Sequence, residues 1–155
     1  MIHMALLGLL PLFLYAFLQL ESVLLLEGNI LNEGEKARIN KAQSVNDRIK
    51  VYHSASKRMQ QSVEAAVRSG DFSGVPDALK LWVALLTGSL EDIEANLKTN
   101  KKSKALIQYE IQVRKANSAF RGYKAKAPVD QQDAIDEQIT AAEKIRKKFV
   151  DIIFR

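Results

Sequence analysis

The chain has 155 residues, 26% of them charged and 47% hydrophobic, with 23 basic side chains against 18 acidic ones and no cysteine. This length fits one domain of ordinary size. The missing cysteines exclude a disulfide framework, thiolate-ligated zinc, a thiol nucleophile and a cysteine-linked lipid anchor.

Hydrophobicity is concentrated at the start, where 20 of the first 28 residues are apolar, while the rest resembles a soluble domain. Residues 4–18 read MALLGLLPLFLYAFL without a charge or an amide, and Val23 to Leu26 extend the run past Gln19, Glu21 and Ser22. A hydrophobic centre of this length suits a secretory signal peptide, in which Pro11 is tolerable. No Lys or Arg precedes it and no small-x-small cleavage site is obvious between Ala16 and Gly28, so a retained anchor stays open. Extended to Leu26, the run approaches the ~20 residues that span a bilayer. The first cations, Lys36, Arg38 and Lys41, lie beyond it, and the positive-inside tendency would hold them in the cytoplasm. The competing reading makes residues 4–26 a buried helix of the fold. Residues 1–28 are therefore expected to be a signal peptide or signal anchor, 29–34 a linker containing Gly28's neighbours Asn29, Asn32 and Gly34, and 35–155 a helical bundle domain.

Breaks in the remainder are few. From 35 to 69, Ile49, Tyr52, Ser56, Met59, Val63, Ala66 and Val67 recur at helical spacing, with Asn46 or Asp47 able to cap a new start and Gly70 placed as a left-handed terminator. The SGDFSGVP segment turns the chain, and Pro76 suits the first turn of the next helix. There Leu79, Trp82, Val83, Leu86, Leu90, Ile93 and Leu97 form one stripe. Leu81, Ala84 and Leu85 occupy the opposite side, which predicts a central helix covered on two sides. Gly88 with Ser89 and Asp92 suggests a kink and a capped restart. Residues 103–124 align Leu106, Tyr109, Val113, Ala116, Phe120 and Tyr123. A last helix from Asp130 aligns Ile135, Ile139, Ala142, Ile145, Phe149 and Ile152. The fold class is all-α: an N-terminal hydrophobic export or anchor helix, then a four-helix bundle whose sequential neighbours run antiparallel.

The charge excess is local. Residues 98–126 hold nine basic side chains and one acid, Glu110. At 100° per residue, Ile107 and Ile111 form an apolar ridge opposite the core stripe, continued by Ser118 and Ala125. Lys104, Lys115 and Lys126 border it on one side, Arg114 and Arg121 on the other. The cations Lys144, Arg146, Lys147 and Lys148 of the last helix are read as macrodipole matching. Two isolated surface hydrophobes among solubilising lysines would explain the ridge without function. The functional readings are a protein partner, with cations steering encounter, or an anionic membrane surface. Nucleic acid ranks third, because the core claims Tyr109, Phe120 and Tyr123 and leaves no stacking platform. The expected partner-binding residues are Lys104, Ile107, Ile111, Arg114, Lys115 and Arg121.

Catalytic and metal motifs are absent: there is no HExxH, GxSxG, phosphate loop or Glu-x-x-His. His53 lacks a His or carboxylate at i+3 or i+4, and Glu91, Asp92 and Glu94 read as a solvated face. No enzyme activity, cofactor or metal is expected.

The junction Gly70-Asp71-Phe72 followed by Ala78-Leu79 resembles the helix-ending turn of tetratricopeptide repeats, although the signature does not recur at a 34-residue period. The order of apolar segment, Asn46-Asp47-Arg48-Ile49-Lys50-Val51-Tyr52, Ser69-Gly70-Asp71-Phe72 and paired helices is similar to uncharacterised exported helical-bundle proteins of bacteria. That resemblance implies an envelope address, periplasmic or membrane-anchored, and offers no activity or binding residues to carry over. The function expected is a non-catalytic, exported or membrane-tethered interaction module, with a lipid-binding and then a nucleic-acid-binding reading as alternatives.

Overall fold

A computed structural model describes residues 30–98 and 102–155. The expected export helix lies outside the described residues. Among those described there are five α-helices and no strand: α1 (Glu33–Lys41), α2 (Val45–Ser69), α3 (Val75–Asn96), α4 (Lys104–Lys124) and α5 (Val129–Ile153). No described helix is long and apolar enough to cross a membrane.

Local chemistry sets most helix ends. Gly70 terminates α2 with φ of 75°, a conformation that costs a residue with a Cβ but not glycine. Pro76 sits in the first turn of α3, where a missing N–H leaves nothing unpaired. Ser103 caps α4 by accepting the Leu106 N–H at 3.0 Å.

Three local expectations are corrected. The break inside 35–69 falls at Ala42–Ser44, and the cap of α2 is Ser44, whose Oγ accepts the Asp47 N–H at 3.2 Å; Asn46 and Asp47 are already inside the helix. Gly34, expected in a linker, lies within α1, because Asn32 and Glu35 form a reciprocal capping box of 2.8 and 2.9 Å. Helix α3 runs unbroken through Gly88, since Ser89 is buried and donates back to the Leu86 carbonyl at 2.9 Å instead of starting a new helix.

Helices α2 to α5 form the bundle, and α1 packs on α2. Around the bundle the order is α2, α3, α5, α4. Helices α2 and α3 form one antiparallel hairpin, as Arg48 meeting Asp92 and Ser56 meeting Trp82 require. Helices α4 and α5 form the other, through Glu110 with Arg146 and Lys124 with Asp136. The consecutive helices α3 and α4 lie on a diagonal of the bundle and are not packed neighbours. Helix α4 instead runs parallel beside α2, with Ser103 donating to Asn46 and Ser56 donating to Gln112. Every bundle helix has two neighbours, so α3 is not a central helix; its second apolar side, with Leu85 buried and Leu81 packed on the core, is needed because α2 and α5 flank it.

The core is one cluster built from the expected stripes, with Ile49, Val63, Leu79, Trp82, Leu86, Ile93, Leu106, Tyr109, Val113, Phe120, Ile135 and Phe149 almost fully removed from water. Across the diagonal, Trp82 meets Phe120 edge to face at 5.0 Å and 85°. Tyr109 lies at the centre, 5.2 Å from the Phe149 ring and hydrogen-bonded to Ser89 at 3.1 Å. A polar relay crosses the α2–α4 seam. Trp82 Nε1 donates to Ser56 at 2.7 Å, Ser56 donates to Gln112 at 2.8 Å, Gln112 donates to Gln60 at 2.9 Å, and Gln60 donates to Glu64 at 2.8 Å. Each donor in this relay has its acceptor, so burial of these groups does not leave them unpaired, and the parallel register of α2 with α4 follows from it.

Candidate functional site

The site is built on α4, whose inward face is largely apolar with Glu110 and Asn117 as buried exceptions, so that most of its charged side chains lie on the remaining surface. Lys104, Arg114, Lys115 and Arg121 are exposed, and Ile107 and Ile111 are half-buried. Neither isoleucine belongs to the side chains packed on the central cluster. The six expected residues therefore occupy one outward face, as the helical period required. Lys98, Lys102 and Lys126 are exposed near its two ends, whereas Lys124 is engaged by Asp136 at 2.7 Å. Lys101 lies outside the described residues.

Glu110 is the acid that charge counting placed in this region, and the structure turns it inward. It is buried at the α4–α5 seam, 2.6 Å from the Arg146 guanidinium. Arg146 also makes two bonds to Glu143, at 2.7 and 3.0 Å, and Asn117 donates to Glu143 at 3.3 Å and to the Ile139 carbonyl at 3.2 Å. Hydrogen bonds from Arg146 hold the Glu143 carboxyl below its ordinary range against the effect of burial, helped by the charge of Arg146 and Arg121. The macrodipole reading of Arg146 is thereby corrected: the last turn of α5 contains no basic residue, and the dipole acts only over that turn. Arg146 neutralises the one acid of the basic region from the neighbouring helix. The exposed charged side chains of α4 are consequently all cationic, and Arg114 reaches Glu110 only at 3.8 Å while staying 61% exposed.

Two further charged clusters hold the scaffold. Arg48 grips Asp92 through two bonds of 2.7 and 2.9 Å, and Tyr52 donates to the same carboxylate at 2.9 Å. Asp92, read from sequence as part of a solvated face, is thus a structural anchor between α2 and α3. Burial acts to raise its carboxyl, but Arg48 and Tyr52 outweigh it and hold it below the usual value. At α1, Arg58 grips Glu35 with bonds of 2.8 and 2.9 Å and donates to the Ile30 carbonyl at 3.0 Å. Burial opposes ionisation of Glu35 as well, and the bonds from Arg58 and Asn32 reverse that effect.

His53 is half-buried against the Tyr109 ring, with centroids 6.1 Å apart. Burial first, and then the charge of Lys57, depress its imidazole below the ordinary value. No group of three or more metal-ligating side chains occurs among the described residues. An open groove of about 350 Å³ lies where α1 joins α2, lined by Arg38, Lys41, Ala42, Gln43, Asp47 and Val51, away from His53.

Glu35, Asp92, Glu143 and His53 set the acid response. All have folded-state values below their unfolded ones, so the stability they contribute is present above the unfolded value and lost as pH falls toward the folded value. For His53 the loss starts near pH ~6.5, and for Glu35, Asp92 and Glu143 below roughly pH 4.5. Denaturant titrations across pH are expected to show a shallow decline and then a steep one, with His53→Gln flattening the first and Glu35→Gln the second. A profile in Glu35→Gln as steep as in the parent would contradict the Arg58 assignment.

No family model, curated protein or solved structure matches the chain. What fold and site define together is a helical bundle with a cation-bordered apolar face.

Proposed function

We propose that the protein is a non-catalytic interaction module of a bacterial cell envelope, exported or held at a membrane by the apolar segment 4–26, which docks a protein partner on the outer face of α4. One observation carries the docking part: Lys104, Arg114, Lys115 and Arg121 surround Ile107 and Ile111 with no exposed acid on that helix. Elsewhere, Arg48, Arg58 and Arg146 are committed to carboxylates, and their role in the fold is sufficient reason for them. Of the ridge cations, Lys104, Lys115 and Arg121 make no ion pair among the described residues, and Arg114 makes only a 3.8 Å contact with Glu110. Their field would steer an acidic partner, and the isoleucines would supply the apolar contact once it arrives.

The place where the chain enters the bundle favours a protein partner over a bilayer. Residue 30 is held by Arg58 on the α1 side of α2. Gln60 and Ser56, which bond Gln112, point to α4 from nearly the opposite side of α2 by the helical period. A membrane-held N-terminal segment would thus leave the bundle across from the α4 ridge. Nucleic acid gains no support, as Tyr109 and Phe120 are buried and Tyr123 packs on the core.

The address is tested by intact-mass analysis of the native protein combined with cell fractionation; a full-length soluble cytoplasmic product would remove the envelope role. The face is tested by Lys104→Glu with Lys115→Glu. Exposed charge pairs contribute about 0.2–1 kcal/mol each, and reversal adds repulsion, so recovery of the partner from envelope extracts should fall about tenfold, with added salt weakening the parent in the same direction. Sedimentation of the parent with anionic but not neutral liposomes would favour the lipid reading instead.

A further inference from the structure

The ridge does not end at the edge of α4. The pairs Glu110–Arg146, Asn117–Glu143 and Lys124–Asp136 fix an antiparallel register between α4 and α5. Along α5 and its C-cap, Glu143, Lys147, Val150 and the capping Phe154 follow one another at spacings of three and four residues, so they share the side from which Glu143 reaches α4. In this register Val150 is level with Ile107 and Lys147 with Ile111, and Phe154 comes one turn below. Val150 is half-buried, Lys147 is exposed and Phe154 is 78% exposed. The lower half of the α4–α5 seam therefore presents four apolar side chains in two parallel rows, Ile107 and Ile111 on one helix and Val150 and Phe154 on the other. Lys104, Arg114, Lys115 and Lys147 stand along its borders, with Asp151 further round α5.

From this we infer that the seam is a receptor for an acidic amphipathic helix of a partner protein. The inference rests on the interaction-module reading and specifies the partner's chemistry. Two rows of apolar side chains running along packed helices form a groove that a third helix fills with residues at i, i+3 or i+4, and i+7. Lys104, Lys115 and Lys147, which make no ion pair among the described residues, together with the 61% exposed Arg114, select carboxylates on the flanks of that helix. A second copy of the chain docked by the same face would set cation against cation, which disfavours a symmetric dimer there. The apolar segment 4–26 carries a single carboxylate, Glu21, to meet the border, and the chain enters the bundle on the far side of α2.

The test is site-specific photocrosslinking of the full-length chain in its own cells. A benzophenone amino acid replaces Ile107, Val150 or Phe154 in turn, with exposed Lys80 of α3 as the control position. The expected result is a light-dependent adduct from the three seam positions and none from Lys80. The crosslinked peptide should have net negative charge and an apolar repeat of three to four residues, and its yield should fall about tenfold when Lys104 and Lys147 are both changed to Glu. Adducts with a protein segment that lacks acidic residues or helical repeat would overturn the acidic helix and leave the interaction module standing. Adducts only with lipid, with residues 1–29 or with a second copy, or none at all, would overturn both.

Discussion

Trp82→Ala is expected to remove about 4 kcal/mol of stability, within the range for truncating a fully buried large aromatic. Trp82 is completely enclosed, its ring meets Phe120 across the diagonal, and its indole N–H starts the relay through Ser56 to Gln112. Truncation leaves a cavity where α3 and α4 meet through side chains alone, because no backbone packing joins these two helices. Most domains have only about 5–15 kcal/mol in total, so the variant should unfold at markedly lower denaturant concentration. Trp82→Phe separates the contributions: it keeps much of the aromatic contact but removes the donor to Ser56, and should cost roughly 1–2 kcal/mol. Circular dichroism in a urea series measures both. A loss below about 1 kcal/mol for the alanine variant would contradict the packing described here.

Arg146→Met is expected to cost about 3 kcal/mol, because it leaves Glu110 buried at the seam without its cation. The arginine side chain is 17% exposed and that of Glu110 is 10% exposed, so solvent relieves little of the penalty. Removing both charges should be far less damaging than removing one. In Arg146→Met with Glu110→Leu, the seam becomes apolar and most of the loss should be recovered. The four-corner cycle by denaturant unfolding isolates the coupling, and single-variant losses that simply add would show that the two residues do not act as a pair. The outcome bears on function too, since Glu110 must stay turned inward for the exposed charged groups of α4 to be all cationic.

Much of the helical scaffold was legible because its signals are local. Gly70 and Pro76 mark a helix end and a helix start through backbone restrictions that any fold must obey, and the Leu79–Trp82–Leu86–Ile93 stripe marks a buried face through periodicity alone. The outward placement of Lys104, Ile107, Ile111, Arg114, Lys115 and Arg121 follows from the same period once Leu106, Tyr109, Val113 and Phe120 are assigned to the core. Periodicity points to Asn46 or Asp47 as the cap of α2, whereas Ser44 fills that role, because all three have cap chemistry and the chain direction entering the helix chooses between them. Ser89 was misread because a hydroxyl that looks like a cap can equally return to its own helix when a buried Tyr109 hydroxyl waits beside it.

The fate of the charged and polar groups was not legible to the same degree. Ser56 stood in the apolar stripe of α2 with no mark of its partners, Trp82 on α3 and Gln112 on α4. Glu110 and Arg146 are 36 residues apart, and Asp92 is 44 residues from Arg48. Composition counts such charges without saying which face each other.

By itself the sequence determined an all-α chain, its helix stripes and the outward basic face of α4, because capping, glycine and proline restrictions and the 3.6-residue period act over a few neighbouring residues. Tertiary structure alone decided that α3 and α4 lie on a diagonal, that Arg146 silences Glu110, and that Val150 and Phe154 of α5 extend the ridge. Those outcomes depend on which helix becomes whose neighbour, and four amphipathic helices can bury the same stripes in more than one arrangement. The choice among arrangements is made by pairings such as Ser56 with Gln112 and Glu110 with Arg146, which join residues distant in the chain and exist only once the helices have come together.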